Sequence, residues 1–394
     1  MTARLGRRLK NQASEISFPR AAGSAGNERA RRIVRDSLVE AGLQVEEQPF
    51  SYDLERAFRA IRWTLRGAGL AVATAALLAA SRPAAAAVAF AVAVVGGGVL
   101  LAWAPGAEKL YAGDGPTRTA NVVARRPASG RRRKTLIVLA HYDSKSQNLT
   151  FPWRMGSTLL AMSGAAALAL HLFLPALVPL SLGQAGGTAA AFALALLSTL
   201  RNENRSPGGV DNAGSVALLL ELARELPGSL PPDVELVLLS PSAEEDHMVG
   251  AMRWLAHNLA AEQASGAEIV AINIDGAGSP GRAVVMQWFG FGKRFGPTII
   301  RAARQASSAL SIPMRRIWLP PAIGVDAIPF VHRGIECVTF SSGSLGRATM
   351  AVHSAKDVAD NLCEPSLENV YRLVHETARR LTAVSSDSNT GGMS

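Results

Sequence analysis

The chain has 394 residues and a net charge of +10, which suggests nucleic acid, but only 6% of it is aromatic and the arginines are not interleaved with those rings. Base-stacking surfaces are therefore poorly supplied, and a nucleic-acid partner is set aside. Two cysteines, Cys337 and Cys363, are too few for a disulfide framework or a cysteine metal site and fit a reducing compartment.

The basic start from Arg4 to Lys10 is followed by no apolar signal core, so no cleavable secretion signal is expected. Over 27–41 the positions Ala30, Ile33, Val34, Leu38 and Ala41 keep a helical period, Gly42 closes the helix, and 44–52 reads as a strand. Residues 1–58 thus begin an α/β domain that is interrupted almost at once. Residues 63–80 are apolar apart from Arg66, Ser81-Arg82-Pro83 makes a break, and 84–104 carry no charge. Each arm is close to the roughly 20 residues that cross a bilayer as helix, so 61–104 is expected to form a transmembrane hairpin. A buried Ala-rich helical pair in a soluble domain is the alternative.

The domain resumes over 119–150 with a strand at 119–125, the basic turn Arg131-Arg132-Arg133-Lys134 and a buried strand at 135–140 that ends in His141-Tyr142-Asp143-Ser144. Apolar arms at roughly 155–180 and 185–200, split around Pro179 and Gly183, predict a second transmembrane hairpin within 155–200. His171 inside it reads as a packed residue rather than a ligand. Two hairpins bring the chain back to its starting side twice, which leaves all soluble segments on one face of the membrane. Arg56, Arg59, Arg62, Arg66, Lys109, Arg118, Arg154, Arg201 and Arg205 flank the arms, while the tips carry only Arg82. The positive-inside bias then predicts an integral, multi-pass protein of the cell membrane with four helices, a lipid-bilayer partner and its α/β domain in the cytoplasm.

From 205 to 383 the pattern is regular α/β: a Gly-rich loop with Asp211, a helix at 213–225, a strand at 234–240, a helix near 250–261 and a strand at 268–274. A strand at 283–287, a helix around 297–310, a short helix near 329–333, a strand at 337–341 and a helix at 366–383 follow. Residues 384–394 read as a disordered tail. The run Val234-Glu235-Leu236-Val237-Leu238-Leu239-Ser240 is unbroken and apolar in character, as in a buried parallel strand, and it delivers Glu244, Glu245 and Asp246 to the edge where α/β enzymes keep their sites. Adjacent carboxylates there repel, and a metal is the usual agent that neutralises them.

The other predicted strand ends carry His141 and Asp143, Asp211, Asp275 and, later, His353. Histidines with carboxylates form a nitrogen and oxygen ligand set suited to zinc and, less well, to manganese or cobalt. Each residue alone has another account: a packed histidine at His141, a helix cap at Asp211-Asn212, a turn at Asp275-Gly276, a surface pair at His353-Ser354. Their joint placement after strands is what points to a site.

His141-x-Asp143-Ser144, Asp211-Asn212-Ala213-Gly214, Glu244-Glu245-Asp246, Asn273-Ile274-Asp275 and His353-Ser354-x-x-Asp357 resemble, in this order, the motifs of the dizinc aminopeptidases of metallopeptidase family 28, relatives of bacterial leucyl aminopeptidase and aminopeptidase Y. Asp326-Ala-Ile-Pro-Phe330 is similar to the family's Ser-Asp-His-x-Pro-Phe segment, and the likeness spans about 27–60 and 119–383. The resemblance implies a phosphorylase/hydrolase-like zinc peptidase fold, with a mixed, mostly parallel central sheet flanked by helices. It also implies two zinc ions per chain and a peptide substrate. Asp211 would bridge the ions, His141 and Asp275 would complete one, and Glu245 and His353 the other. Glu244 would be the general base, and Asp143 would orient His141. Where many relatives read Asp-Asn-Ala-Ser-Gly this chain has Ala213-Gly214-Ser215 after Asp211-Asn212, and Ala327 and Val325 stand in place of the segment's histidine and serine. A non-catalytic membrane scaffold, or another amide chemistry such as glutaminyl cyclisation or deacylation, is the alternative activity on such a fold.

Overall fold

The computed structural model describes residues 2–103, 114–289, 293–319, 323–344 and 346–383. In chain order the elements are helices α1 (Thr2–Ile16) and α2 (Ala25–Glu40), strand β1 (Gln44–Tyr52), helices α3 (Leu54–Leu78) and α4 (Pro83–Trp103), strands β2 (Thr117–Arg126), β3 (Lys134–Leu139) and β4 (Ser146–Gln147) and helices α5 (Phe151–Phe173) and α6 (Leu180–Leu197). Then come β5 (Asn202–Glu203), α7 (Gly214–Ser229), β6 (Val234–Ser240), α8 (Val249–Ala264), β7 (Glu268–Ile274), β8 (Arg282–Phe289) and β9 (Lys293–Arg294). The chain closes with α9 (Pro297–Leu310), β10 (Met314–Leu319), α10 (Ala327–His332), β11 (Glu336–Gly343), α11 (Arg347–Ala351) and α12 (Glu364–Thr382). The expected tail over 384–394 lies outside the described residues.

The chain divides into two compact units. One consists of Met1–Phe50, Arg118–Lys145 and Asn204–Ser394, the other of Ser51–Thr117 and Ser146–Glu203. The first is built on a sheet of strand order β1-β2-β6-β3-β7-β11-β8-β10, with β9 beside β8. β3 runs parallel to β6 and β7, and β11 parallel to β7, whereas β2 and β8 are antiparallel to their neighbours β6 and β11. The sheet is thus mixed and mostly parallel, as expected. Central strands β3 and β6 are buried along almost their whole length, which is why they read as continuous apolar runs rather than alternating ones. Helices α1, α2, α7, α9 and α12 pack together through contacts of α7 and α12, while Trp254 of α8 stacks on Phe330 of α10 at 5.7 Å between ring centroids.

α1 and β10 are among the elements of this unit that escape the sequence reading. The sequence reads α1 only as a basic segment, yet Leu9, Ala13 and Ile16 are fully buried, and their spacing of three and four residues is the helical signal that marks it. Among the described residues β10 pairs with β8 alone, and it leaves Ile317 and Trp318 exposed, so it lacks the apolar alternation that identifies a half-buried strand.

The second unit is a helical bundle of two hairpins. Its first arm begins earlier than expected: Asp53 caps α3 by accepting the Arg56 N–H at 2.9 Å, so Arg56, Arg59, Arg62 and Arg66 lie inside the helix rather than before it. The third arm likewise starts at Phe151, where Pro152 suits a first turn, and stops before Pro175, so α5 is shorter than the arm expected at 155–180, whereas α6 starts at Leu180 and is slightly longer than the arm expected at 185–200. Small residues let these helices approach closely. A Cβ on Gly164 would stand 2.3 Å from the Gly186 carbonyl oxygen, a contact only glycine permits. His171 is packed, its Nδ1 3.0 Å from the Val178 carbonyl oxygen. Helices α5 and α6 are long and apolar enough to cross a membrane by length and composition, each with a mean hydropathy of 1.5.

Candidate metal centre

Register brings the strand ends together. Leu139 lies level with Leu239 and with Asn273, so β3, β6 and β7 finish at one edge and release His141, the Glu244-Glu245 pair and Asp275 there. Asp211 comes from the kinked turn Gly209–Ala213 that leads into α7; its backbone (φ −118°, ψ 85°) and that of Asn212 (φ −142°, ψ 29°) are not helical, and the peptide between them is cis. His353 follows α11. Ala243, His247, Met248 and His353 take positive φ of 60°, 71°, 62° and 62°, so left-handed backbone that the surrounding packing must enforce flanks the acidic pair and holds the last histidine.

Asp211 is central. Its Oδ1 stands 3.3 Å from His141 Nε2 and its Oδ2 3.1 Å from His353 Nε2. Asp275 Oδ1 is 3.8 Å from His141 Nε2, and Glu245 Oε2 is 3.1 Å from His353 Nε2. These residues make two groups, His141 with Asp211 and Asp275, and Asp211 with Glu245 and His353, whose ligand atoms lie within 4.8 Å of one another. Glu244 belongs to neither group, although its Oε2 is 3.8 Å from His141 Nε2. Asp143 is fully buried and 3.5 Å from His141 Nδ1, but its firm contacts go elsewhere: Oδ1 accepts the Glu244 N–H and Oδ2 the Glu245 N–H, both at 3.2 Å. It therefore fixes the acidic pair as well as standing beside the histidine.

Burial opposes charge on every one of these groups, and their neighbours decide the outcome. Burial alone would lower His141, yet Glu244, Asp143, Asp211 and Asp275 hold it well above the usual imidazole range. Burial works to raise Asp211, but His141 and His353 keep it well below the usual carboxylate range. Glu245 is brought down to about 2 by His353 and Lys145, against burial and Asp211. Glu244 is pushed well up, first by burial and then by Asp275, Asp326 and Glu245, with His141 opposing. Among the described residues neither ring nitrogen of buried His141 has a hydrogen-bond partner. A nitrogen and oxygen donor set closing on orphaned imidazole nitrogens fits a borderline divalent ion such as zinc.

Five further residues, none with a role assigned from sequence, shape the centre. Asp357, quoted in the His353 motif, accepts the N–H of Val210 at 2.8 Å and of Asp211 at 3.1 Å, which fixes the turn bearing the shared carboxylate. Burial pushes Asp357 up to about 7. Arg20, fully buried, donates to the carbonyls of Tyr142, Pro207 and Gly208 and so ties the His141 loop to the Asp211 loop. Between those loops Gly208 has φ +56°, and a Cβ on it would lie 2.6 Å from Ser144 Cβ. Lys145 Nζ lies 2.9 Å from Glu245 Oε2. Among the described residues both oxygens of buried Asp326 are without a hydrogen-bond partner, and burial holds its carboxyl well above the usual range. A lone basic residue beside a loop has no periodicity to reveal it, so Arg20 and Lys145 carry no sequence signal of this kind.

The profile of Peptidase family M28 matches residues 121–378. Among solved structures the fold is similar to BSAP, a zinc aminopeptidase from Bacillus subtilis, at 14% identity with a TM-score of 0.59, over 98% of this chain and 96% of that one. It is similar to an aminopeptidase from Aneurinibacillus sp. strain AM-1 at 16% identity with a TM-score of 0.57, over 95% and 94%. A glutaminyl cyclase from Fimbriiglobus ruber is also similar, at 12% identity with a TM-score of 0.56, over 95% and 94%. No curated protein matches the chain by sequence. With ordered motifs at one sheet edge and a family match over more than half its length, the chain belongs to peptidase family M28.

Proposed function

We propose that the chain is a membrane-anchored, zinc-dependent aminopeptidase that uses two zinc ions. The observation that carries this reading is the single carboxylate of Asp211 shared between two ligand groups, each completed by one histidine and one further acid. His141, Asp211 and Asp275 would hold one ion, and Asp211, Glu245 and His353 the other. Zinc there supplies Lewis-acid polarisation of a peptide carbonyl and of the attacking water. Glu244 lies beside the ligands without belonging to either group, and its raised affinity for protons suits a general base that takes the water's proton at its carboxylate and passes it to the leaving amine. Asp143 holds Glu244 and Glu245 by their backbone N–H groups, so base and ligand keep a fixed spacing.

The helical unit serves as the anchor in this reading. Helices α5 and α6 meet the length and apolarity of membrane spans, α3 and α4 form the companion hairpin, and the arginines around the arms favour a cytoplasmic catalytic unit. Zinc content per chain, measured together with product analysis of a peptide library and of N-terminal glutaminyl peptides, tests the activity. Two ions and release of free N-terminal amino acids support it. Ring closure of the glutaminyl peptides without hydrolysis would assign a cyclase instead, and neither product would leave a scaffold.

A further inference from the structure

Glu245 faces two partners at once. Its Oε2 faces His353 Nε2 at 3.1 Å, on the side where an ion would sit with Asp211, and it faces Lys145 Nζ at 2.9 Å. The lysine is held on the spot by more than charge. Its Nζ donates to the Glu245 carbonyl oxygen at 2.8 Å, and its backbone N–H donates to Glu245 Oε1 at 3.2 Å. The pair is sheltered from solvent, with side-chain exposures of 14% for Lys145 and 4% for Glu245, so salt screens it weakly. The other ligand group has no counterpart: among the described residues no Lys or Arg nitrogen lies within 4.0 Å of Asp275 or Asp211.

We propose that Lys145 is a resident counter-cation that an ion entering the Asp211, Glu245 and His353 position must displace or endure. This position then loads more weakly than that of His141, Asp211 and Asp275. The inference rests on the two-ion reading above. An entering ion either turns the ammonium away from Glu245 Oε2, which forfeits a charge-assisted hydrogen bond, or keeps a like charge beside it. Both costs fall on one position only, so Lys145 makes two otherwise similar ligand sets unequal.

The test is calorimetric titration of the chelator-treated, full-length protein in detergent with zinc alone, for wild type, Lys145→Met and Lys145→Arg. Wild type should show two unequal binding events, of which His353→Gln removes the weaker. Lys145→Met should tighten the weaker event by about tenfold or more, the scale on which contacts outside the ligand set tune metal affinity, whereas Lys145→Arg should leave it weak. Lys145→Met should also lower the Tm of the zinc-free protein, which loses an ion pair, and raise that of the zinc-loaded protein. A merely structural lysine would shift both in the same direction. Two equal events in wild type, or a weaker event unchanged in Lys145→Met, overturns the role of Lys145 alone. A stoichiometry of one zinc per chain at every zinc concentration overturns the two-ion reading, and this inference with it.

Discussion

His141 and His353 face opposite oxygens of one carboxylate, that of Asp211, at 3.3 and 3.1 Å. A side chain shared in this way cannot be replaced without loss to both ligand groups. Asp211→Asn keeps the shape and removes the charge, so zinc content should fall below two per chain and kcat/KM by about 10³-fold or more, several kcal/mol of lost transition-state stabilisation. Elemental analysis of the purified variant beside its peptidase rate checks both. Full zinc content with undiminished turnover would remove Asp211 from the centre.

Glu244 should separate chemistry from metal binding. Because it stands outside both groups, Glu244→Gln is expected to retain its zinc and lose about 10²- to 10⁴-fold in kcat. Loss of an ion in this variant would mean that Glu244 is a ligand and not the base.

Asp143 accepts two N–H groups with its two oxygens, and an asparagine in its place can accept only one. Asp143→Asn should weaken zinc binding by about 10- to 100-fold while the fold persists. Competition with a chromophoric chelator reads the affinity, and circular dichroism reads the fold.

His247 gives a pH signature. Burial and the Lys145 ammonium push it down to about 4. Its folded value lies below its unfolded one near 6.5, so the unfolded chain binds the proton more readily, and stability falls as pH drops from about 6.5 towards 4. Allowing for partial exposure, zinc-free His247→Gln should lose about 1–2 kcal/mol less than wild type between pH 7 and pH 5. Urea unfolding at the two pH values measures the difference, and parallel losses would dismiss it.

The anchor can be examined in whole cells. If the four helices span the bilayer with the catalytic unit inside, the protein should resist alkaline carbonate extraction. Ser81→Cys, at the tip between α3 and α4, should then react with a membrane-impermeant maleimide from outside. Labelling only after lysis would place that tip in the cytoplasm and reverse the orientation.

The sequence alone was enough for the alternation of buried strands and helices, the two apolar hairpins and the acids and histidines at strand ends. Those features are local: a strand buried on both faces must be apolar along its length, as Leu136 to Leu139 and Leu236 to Leu239 are, and its end is where polar residues can return. Tertiary structure decided the rest. Only the parallel register of β3, β6 and β7 places His141, Glu245 and Asp275 at one edge, and only packing under the Asp211 turn reveals Asp357 and Arg20 as the residues that hold it. The helical arms start where Asp53 and Pro152 begin them and the third stops before Pro175, not where the apolar runs begin and end. The partner of Lys145 lies a hundred residues away on another strand end, and no periodicity or spacing encodes such a pairing, because charge acts through space and not along the chain.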